Sequence, residues 1–208
     1  MLPALQFLTL DGLPIGHAEQ ARLACEGGVR WVQLRAKGLA VPAWTEVARE
    51  VVAVCRKHGA LCTVNDSPEV AREAGANGVH LGKSDVSPVS ARALLGPNAL
   101  IGVTLNHPDD IRRLDSVRVD YVGAGPFRAT ATKLGHAPVH SDDSLRALIA
   151  AARLPAYVIG GVTRADFPAL RLAGAHGAAV SAAIARAEDP RAAARELVAA
   201  ASACWPSA

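Results

Sequence analysis

Short apolar segments that alternate with amphipathic segments are the feature that most constrains the fold of this chain. The runs rich in Val, Leu and Ile cover residues 5–10, 31–36, 61–66, 78–82, 100–105, 120–125, 156–161 and 177–182. Apolar residues recur at helical spacing in 17–26, 42–58, 68–74, 88–95, 108–114, 142–152, 164–173 and 190–201. Strands that are apolar on both faces and alternate with helices indicate a parallel sheet covered by helices.

The number of repeated units favours a closed barrel. Eight βα units with short loops form a (β/α)8 TIM barrel, although 208 residues lie near the small end of that class. An open, doubly wound sheet is the alternative that the pattern leaves open. Because no linker, low-complexity tract or composition shift divides the chain, we expect one domain over residues 1–208.

Charge and composition argue against several classes of partner. The formal net charge is +3 and the 22 Lys and Arg are dispersed, so we expect neither nucleic acid nor a membrane as partner. The four cysteines lack zinc-type spacing and are interpreted as buried side chains in a reducing compartment. Without a signal-peptide pattern or a bilayer-length apolar run, the chain is expected to be cytoplasmic, and a homo-oligomer is possible.

Polar residues at the end of the second predicted strand are candidates for a binding site. In a (β/α)8 barrel the loops after the strands form the active face. In "VQLRAK", Gln33 and Arg35 fall on one face of the strand, and Lys37 follows. A buried guanidinium needs a counter-ion, so this pattern indicates a phosphate site or, alternatively, an internal Arg–Asp pair.

Two aspartates at neighbouring strand ends indicate a cation site. Asp66 follows Asn65 after the third strand, and Asp85 follows the fourth. Two carboxylates that meet repel each other unless a cation lies between them, and oxygen ligands favour Mg²⁺ completed by phosphate oxygens and waters. The alternative is that each aspartate caps the helix that follows it.

The last two strands predict a second anion site. Gly160 and Gly161 allow the backbone to approach a ligand closely, and N–H groups around Val180 and Ser181 at a helix start would face an anion. Close-packed strand ends without a ligand are the alternative. His80, in the fourth strand, is either a core or rim residue or a catalytic one.

Six ordered motifs resemble those of the thiamine phosphate synthase family. They are "VQLRAK", "VND", "GVHLGKSD", "DYVGAGPF" with "TATK", "IGG" and "AVSAA", and "LQFLTLDG" is similar to the family's opening strand. The resemblance covers nearly the whole chain. It implies a (β/α)8 transferase of thiamine biosynthesis, which joins 4-amino-5-hydroxymethyl-2-methylpyrimidine diphosphate to hydroxyethylthiazole phosphate and releases diphosphate by a dissociative mechanism.

The resemblance also implies a role for each matching residue. Asp66 and Asp85 would hold the Mg²⁺ cofactor. The residues implied to act in catalysis are Arg35, Lys37 and Lys133. The diphosphate would contact Arg35, Lys37, Asn65 and Lys133. The pyrimidine would be bordered by Gln33, His80, Gly82 and Thr104. The thiazole phosphate would be held by Thr130, Thr132, Gly161, Val180 and Ser181.

The chain departs from the family pattern at several positions, which leaves other functions open. Ser67 stands in place of Arg, Lys83 in place of Gln, and Thr104 in place of Ser. Lys83 adds a positive charge close to Asp85, and "LGHAPVHSDD" departs from the usual pattern before the next helix. One alternative is a thiazole tautomerase, in which His107 would transfer a proton. The other is a non-catalytic barrel that binds a phosphorylated ligand.

Overall fold

Eight parallel strands form a closed barrel in sequence order. The computed structural model describes residues 1–114, 118–128 and 139–206, except for the side chains of Arg113 and Leu114. The strands are β1 Leu5–Leu8, β2 Trp31–Leu34, β3 Leu61–Asn65, β4 Gly78–Leu81, β5 Leu100–Leu105, β6 Tyr121–Ala124, β7 Ala156–Ile159 and β8 Gly177–Val180. β1 pairs with β8 as well as β2, which closes the barrel. The predicted (β/α)8 barrel is therefore confirmed, and the open sheet is excluded.

Helices follow the strands on the outside of the barrel. They are α1 His17–Glu26, α2 Val41–Lys57, α3 Pro68–Ala74, α4 Pro88–Leu95, α5 Asp142–Ala152, α6 Phe167–Leu172, α7 Ala182–Ala185 and α8 Pro190–Cys204. The predicted helix at 108–114 is a 3-10 helix, and the one at 164–173 begins with a 3-10 turn at Arg164–Asp166. No helix in the described ranges has the length and apolar character needed to cross a membrane.

Side-chain alternation separates an outer core from the barrel interior. On β2, Val32 and Leu34 join the large apolar cluster between the strands and the helices. Trp31, on the other face, packs in a separate inner cluster with Tyr121 and Tyr157. Because side chains alternate along a strand, Gln33 also faces the interior, where its exposed fraction is 2%.

Trp31, Tyr121 and Tyr157 form an aromatic floor at the amino-terminal end of the barrel. Their rings pack edge to face with centroids 4.7 to 5.8 Å apart. Gly102 makes room for this floor, because a Cβ atom there would lie 2.0 Å from Cζ of Tyr121. A Cβ at Gly177 would lie 2.8 Å from Cε1 of Tyr157. The floor fills this end, so a ligand in the barrel has to bind at the carboxyl-terminal end of the strands.

Candidate active site

Two carboxylates meet at the carboxyl-terminal ends of β3 and β4. Asp66 follows β3, and its side chain is within hydrogen-bonding reach of Asp85 in the loop after β4. Burial raises the pKa of Asp85, and the adjacent Asp66 carboxylate raises it further. The Gly82 N–H, which donates to Oδ2 of Asp85 at 2.7 Å, and the Lys37 ammonium act in the opposite direction. A cation between the two carboxylates would relieve their repulsion.

The helix-capping alternative is wrong for both aspartates. Ser67 caps α3 and Ser87 caps α4, and each hydroxyl accepts the backbone amide three residues further on, at 3.2 and 3.1 Å. These are the usual N-cap contacts of serine. The carboxylates of Asp66 and Asp85 are consequently available to the rim of the barrel.

The backbone of Asp66 adopts an unusual conformation. Its φ of 72° lies in the left-handed region, which aspartate tolerates better than most residues with a Cβ. The Asp66 amide donates to the carbonyl of His80 at 2.8 Å, and the next amide donates back to the carbonyl of Asn65. These contacts hold the strand end in place and turn the carboxylate toward Lys37, whose ammonium binds Oδ2. Backbone strain of this kind is concentrated at functional sites.

The guanidinium of Arg35 has an internal acidic partner. Its Nη1 lies 3.6 Å from Oδ2 of Asp11, which follows β1, so the structure contains the internal Arg–Asp pair that was the alternative to a phosphate site. Asp11 also accepts the Lys37 amide at 3.2 Å and lies 3.3 Å from Nε2 of His17. Asp11 was not among the residues predicted for the site, although an acidic residue directly after the first strand, "LTL", indicates a position on the same rim. The phosphate-binding role of Arg35 stays a prediction.

A polar layer lies between the aromatic floor and the carboxylates. His80 is buried, with Nδ1 3.1 Å from the hydroxyl of Tyr121 and Nε2 3.0 Å from Oγ1 of Thr104. Oε1 of Gln33 is buried and has no hydrogen-bond partner in the part of the chain that the structure describes. Buried polar atoms in native proteins almost always have a partner, so this oxygen is suited to a ligand that donates a hydrogen bond. The structure therefore brings Gln33, His80 and Thr104 together in the barrel interior, and their contact with a pyrimidine stays a prediction.

Residues after β6 and β7 are joined by backbone hydrogen bonds. The amides of Phe127 and Arg128 donate to the carbonyls of Ile159 and Gly160, both at 2.9 Å. Gly160 has φ of 102°, and a Cβ there would lie 2.9 Å from Pro126. Close packing against the loop after β6 is therefore one reason for a glycine at position 160, in agreement with the alternative of close-packed strand ends. The predicted ligands Thr130, Thr132 and Lys133 lie outside the described residues, and their roles stay predictions.

An ion pair that the sequence did not reveal fixes this side of the rim. Both terminal nitrogens of Arg128 bind Asp166, at 2.6 and 2.5 Å, and Nη1 also donates to the carbonyl of Gly161 at 2.9 Å. Oδ2 of Asp166 accepts from the amide and the hydroxyl of Thr163, at 2.7 and 2.8 Å. Hydrogen bonding from Arg128 lowers the pKa of Asp166 to about 2, with help from Thr163 and against the effect of burial. This clamp sets the backbone path around Gly161.

The loop after β8 leads directly into a short helix. Val180 ends β8 and is buried, and Ser181 precedes the four-residue helix α7. Oγ of Ser181 is buried and, among the described residues, has no hydrogen-bond partner. Because β7 and β8 are neighbours, Gly161 and Ser181 follow adjacent strands. Their predicted contacts with a phosphate stay predictions.

The chemistry of the donor set suits a hard divalent cation. Within the described ranges, no cluster of three or more His, Cys, Asp or Glu side chains could hold a metal ion. Asp66 and Asp85 supply oxygen ligands only, and Mg²⁺ is typically bound by one or two carboxylates together with water and substrate phosphates. The pair therefore fits a cation that is shared with a phosphorylated substrate.

Comparison with known proteins decides the family. The sequence profile of the thiamine monophosphate synthase family matches residues 10–184, a range that contains every candidate residue above. The chain belongs to this family. The family prediction from the sequence motifs is thus confirmed, as is the prediction of an enzyme of the transferase class.

Individual relatives agree with the family assignment. The chain is 43% identical over 184 residues to a thiamine-phosphate synthase of Laribacter hongkongensis, covering 88% of this chain and 87% of the relative. It is 39% identical over 194 residues to a thiamine-phosphate synthase of Phocaeicola vulgatus, covering 89% and 92%. Among solved structures, a thiamine phosphate pyrophosphorylase from Pyrococcus furiosus superposes with a TM-score of 0.86 at 28% identity, covering 96% of each chain.

Three departures of this chain from the pattern of the thiamine monophosphate synthase family, Ser67, Lys83 and Thr104, have structural explanations. Ser67 caps α3, and Thr104 retains a hydroxyl that reaches His80. The ammonium of Lys83 lies 3.0 Å from Oδ1 of Asp110, so its charge is paired there rather than with Asp85. Although burial opposes it, the surrounding amides and Lys83 lower the pKa of Asp110.

His107 lies at the surface of this family member and not in the polar layer. Its side chain is 59% exposed, and Nδ1 lies 3.2 Å from Oδ2 of Asp109. The His107 amide donates to Asp110, which places the residue at the start of the 3-10 helix. His107 is thus an exposed residue at a helix start.

Proposed function

We propose that this chain is a cytoplasmic thiamine-phosphate synthase with small phosphorylated substrates. In this reaction, 4-amino-5-hydroxymethyl-2-methylpyrimidine diphosphate and hydroxyethylthiazole phosphate give thiamine phosphate and diphosphate. Membership of the thiamine monophosphate synthase family supports the reaction. The observation that carries the proposal is the pair of Asp66 and Asp85 at the open end of a closed barrel. Lys37 binds Asp66 through its ammonium and Asp11 through its amide, and Asp11 also pairs with Arg35.

We assign the cation site to Asp66 and Asp85. Mg²⁺ held there would neutralise charge on the diphosphate as it leaves. Support comes from the oxygen-only donors and from the raised pKa of Asp85, which burial causes first and the adjacent Asp66 carboxylate increases.

Basic side chains are assigned to the leaving group. The bond between the pyrimidine methylene carbon and the diphosphate oxygen breaks, and its electron pair leaves with the diphosphate. Arg35 and Lys37, joined by Asn65 and Lys133, would bind this growing negative charge. Lys37 is half exposed, so its flexible side chain can exchange Asp66 for a diphosphate oxygen.

The barrel interior is assigned to the pyrimidine. Gln33, His80, Gly82 and Thr104 would hold the ring, and the aromatic floor beneath it would exclude water from the methylene cation. The thiazole nitrogen then attacks this cation and forms the new C–N bond. The thiazole phosphate would be held by Gly161, Val180, Ser181, Thr130 and Thr132, so that binding aligns the nucleophile with the carbon.

One paired assay tests the proposal. The purified protein receives both substrates with Mg²⁺, with a chelator, or as the Asp85→Asn variant, and thiamine phosphate is measured. We expect product only with Mg²⁺ and a loss of most turnover in the variant. Product that is insensitive to chelator would refute the metal site. A protein that isomerises a thiazole carboxylate phosphate and never couples would be a tautomerase, and one that only binds phosphorylated ligands would be non-catalytic.

A further inference from the structure

His80 is held at both ring nitrogens by hydroxyl groups. Nδ1 is 3.1 Å from the Tyr121 hydroxyl below it, and Nε2 is 3.0 Å from Oγ1 of Thr104 beside it. A neutral imidazole has one N–H donor and one acceptor nitrogen, and the bond made by one nitrogen decides the state of the other. If the Tyr121 hydroxyl donates to Nδ1, then Nε2 carries the proton and donates to Thr104. The orientation of one hydroxyl hydrogen therefore determines that of the other through His80.

Tyr121 is the stronger of the two donors. A phenol is more acidic than an alkyl alcohol, so Tyr121 donates to Nδ1 more readily than Thr104 donates to Nε2. Burial raises the pKa of Tyr121, which keeps its hydroxyl protonated. The ring is fully buried and fixed by Trp31 and Tyr157 in the aromatic floor, so the phenol oxygen stays next to Nδ1 of His80. Gln6, Thr63 and Gln33 also lie within hydrogen-bonding reach of this oxygen.

We propose that Tyr121 is a positioning residue for the pyrimidine substrate. It donates to Nδ1 and thereby holds His80 in the tautomer that carries its proton on Nε2. That N–H donates to Oγ1 of Thr104, which leaves the Thr104 hydroxyl hydrogen available to a ring nitrogen of the substrate. Without the phenol hydroxyl, Thr104 donates to His80 and presents only lone pairs. The inference rests on the proposed function for the identity of this ligand.

The chain provides a matched control for Tyr121. Tyr157 belongs to the same aromatic floor, but its hydroxyl donates to the carbonyl of Pro3 at 2.8 Å, away from His80. Tyr121→Phe and Tyr157→Phe each remove one buried phenol hydroxyl and keep the ring. A general effect of removing a hydroxyl from the floor appears in both variants, and a positioning effect appears in Tyr121→Phe alone.

The tautomer is measured without substrate by nitrogen-15 NMR of the full-length protein labelled at histidine. The His80 signals are assigned by their absence in His80→Asn. We expect an acceptor-type Nδ1 and a protonated Nε2 in the wild type and in Tyr157→Phe, and the opposite or a mixed state in Tyr121→Phe. An Nδ1-protonated His80 in the wild type, or an unchanged tautomer in Tyr121→Phe, overturns the inference.

Steady-state kinetics test the consequence for the substrate. We expect Tyr121→Phe to raise KM for the pyrimidine diphosphate about tenfold, the effect of one lost hydrogen bond, and to leave KM for the thiazole phosphate within about twofold. Thr104→Val should have a similar effect, and the double variant should be no worse than Thr104→Val. Equal increases in both KM values, or additive effects, would show a merely structural role. A wild-type protein that never couples refutes the proposed function, whereas the NMR result judges Tyr121 independently.

Discussion

Replacing Asp166 by Asn should destabilise the protein by removing one charge and almost no volume. The Asp166 side chain is 10% exposed and binds both terminal nitrogens of Arg128. Asn keeps one oxygen that can accept from the Thr163 amide and hydroxyl, so the turn before α6 retains its cap. The new amide group, however, faces the Arg128 guanidinium with a second donor, and the pair is lost.

The size of the effect follows from the pKa of Asp166. A fall from its usual value of 3.8 to about 2 corresponds to about 2.4 kcal/mol of stability at neutral pH. Arg128 is 48% exposed, and solvent screening reduces the expected loss to about 1–2 kcal/mol. For a chain of this length, that loss lowers Tm by about 2–8 °C.

The pH dependence identifies the mechanism. A lowered pKa stabilises the folded state above the unfolded pKa, and the contribution disappears as the pH falls through the folded pKa. The stability difference between wild type and Asp166→Asn, measured by urea unfolding, should therefore be constant from pH 7 to 5 and fall by about half at pH 3. The control is Glu46→Gln, which removes an exposed pair with Arg49 and should cost less than about 0.5 kcal/mol. A loss in Asp166→Asn that matches this control, or that is the same at pH 5 and pH 3, would refute the argument.

Three further substitutions test the fold. Ser67→Ala removes the cap of α3 and should lower the free energy of unfolding by about 1 kcal/mol, measured in urea, with no change in m-value. Gly102→Ala places a methyl group 2.0 Å from Cζ of Tyr121. We therefore expect insoluble protein or loss of the near-UV circular dichroism of the aromatic floor. A native near-UV spectrum would contradict this packing. In Arg92, one terminal nitrogen binds three carbonyls after α4 and the other binds Asp120. Arg92→Lys cannot make both sets of contacts, so we expect thermal unfolding to show a stability lower by about 1–3 kcal/mol. An unchanged Tm would refute this role of Arg92.

Periodicity was sufficient to predict the barrel because each strand is short, apolar and followed by a helix. The predicted strand at 5–10 extends beyond β1, which ends at Leu8. The predicted strand at 31–36 likewise extends beyond β2, which ends at Leu34. Thr9, Leu10 and Ala36 are buried although they lie beyond the assigned strands. The hydrophobic pattern of a sequence indicates which residues are buried and not which residues form hydrogen bonds between strands. It therefore cannot locate the end of a strand.

The acidic pair could be predicted, and the clamp at Gly161 could not. Asp66 and Asp85 follow consecutive strands of a parallel barrel, so chain order alone brings them together. Arg128 and Asp166 are 38 positions apart, in a loop and a 3-10 turn, and no repeat relates them. Local sequence likewise did not distinguish Asp66 from Ser67 as the cap of α3, because both residue types cap helices well and only the backbone of Asp66 decides the choice.

The fit of Gly102 against Tyr121 also constrains how relatives of this chain can diverge. The two residues are register partners on β5 and β6, and one has no side chain where the other has a ring. A larger residue at position 102 alone would clash with Tyr121, and a smaller residue at position 121 alone would leave a void. Relatives with a larger residue at position 102 should therefore have a smaller residue at position 121. Within this family, covariation of these two positions should therefore exceed that of exposed neighbours on the same strands.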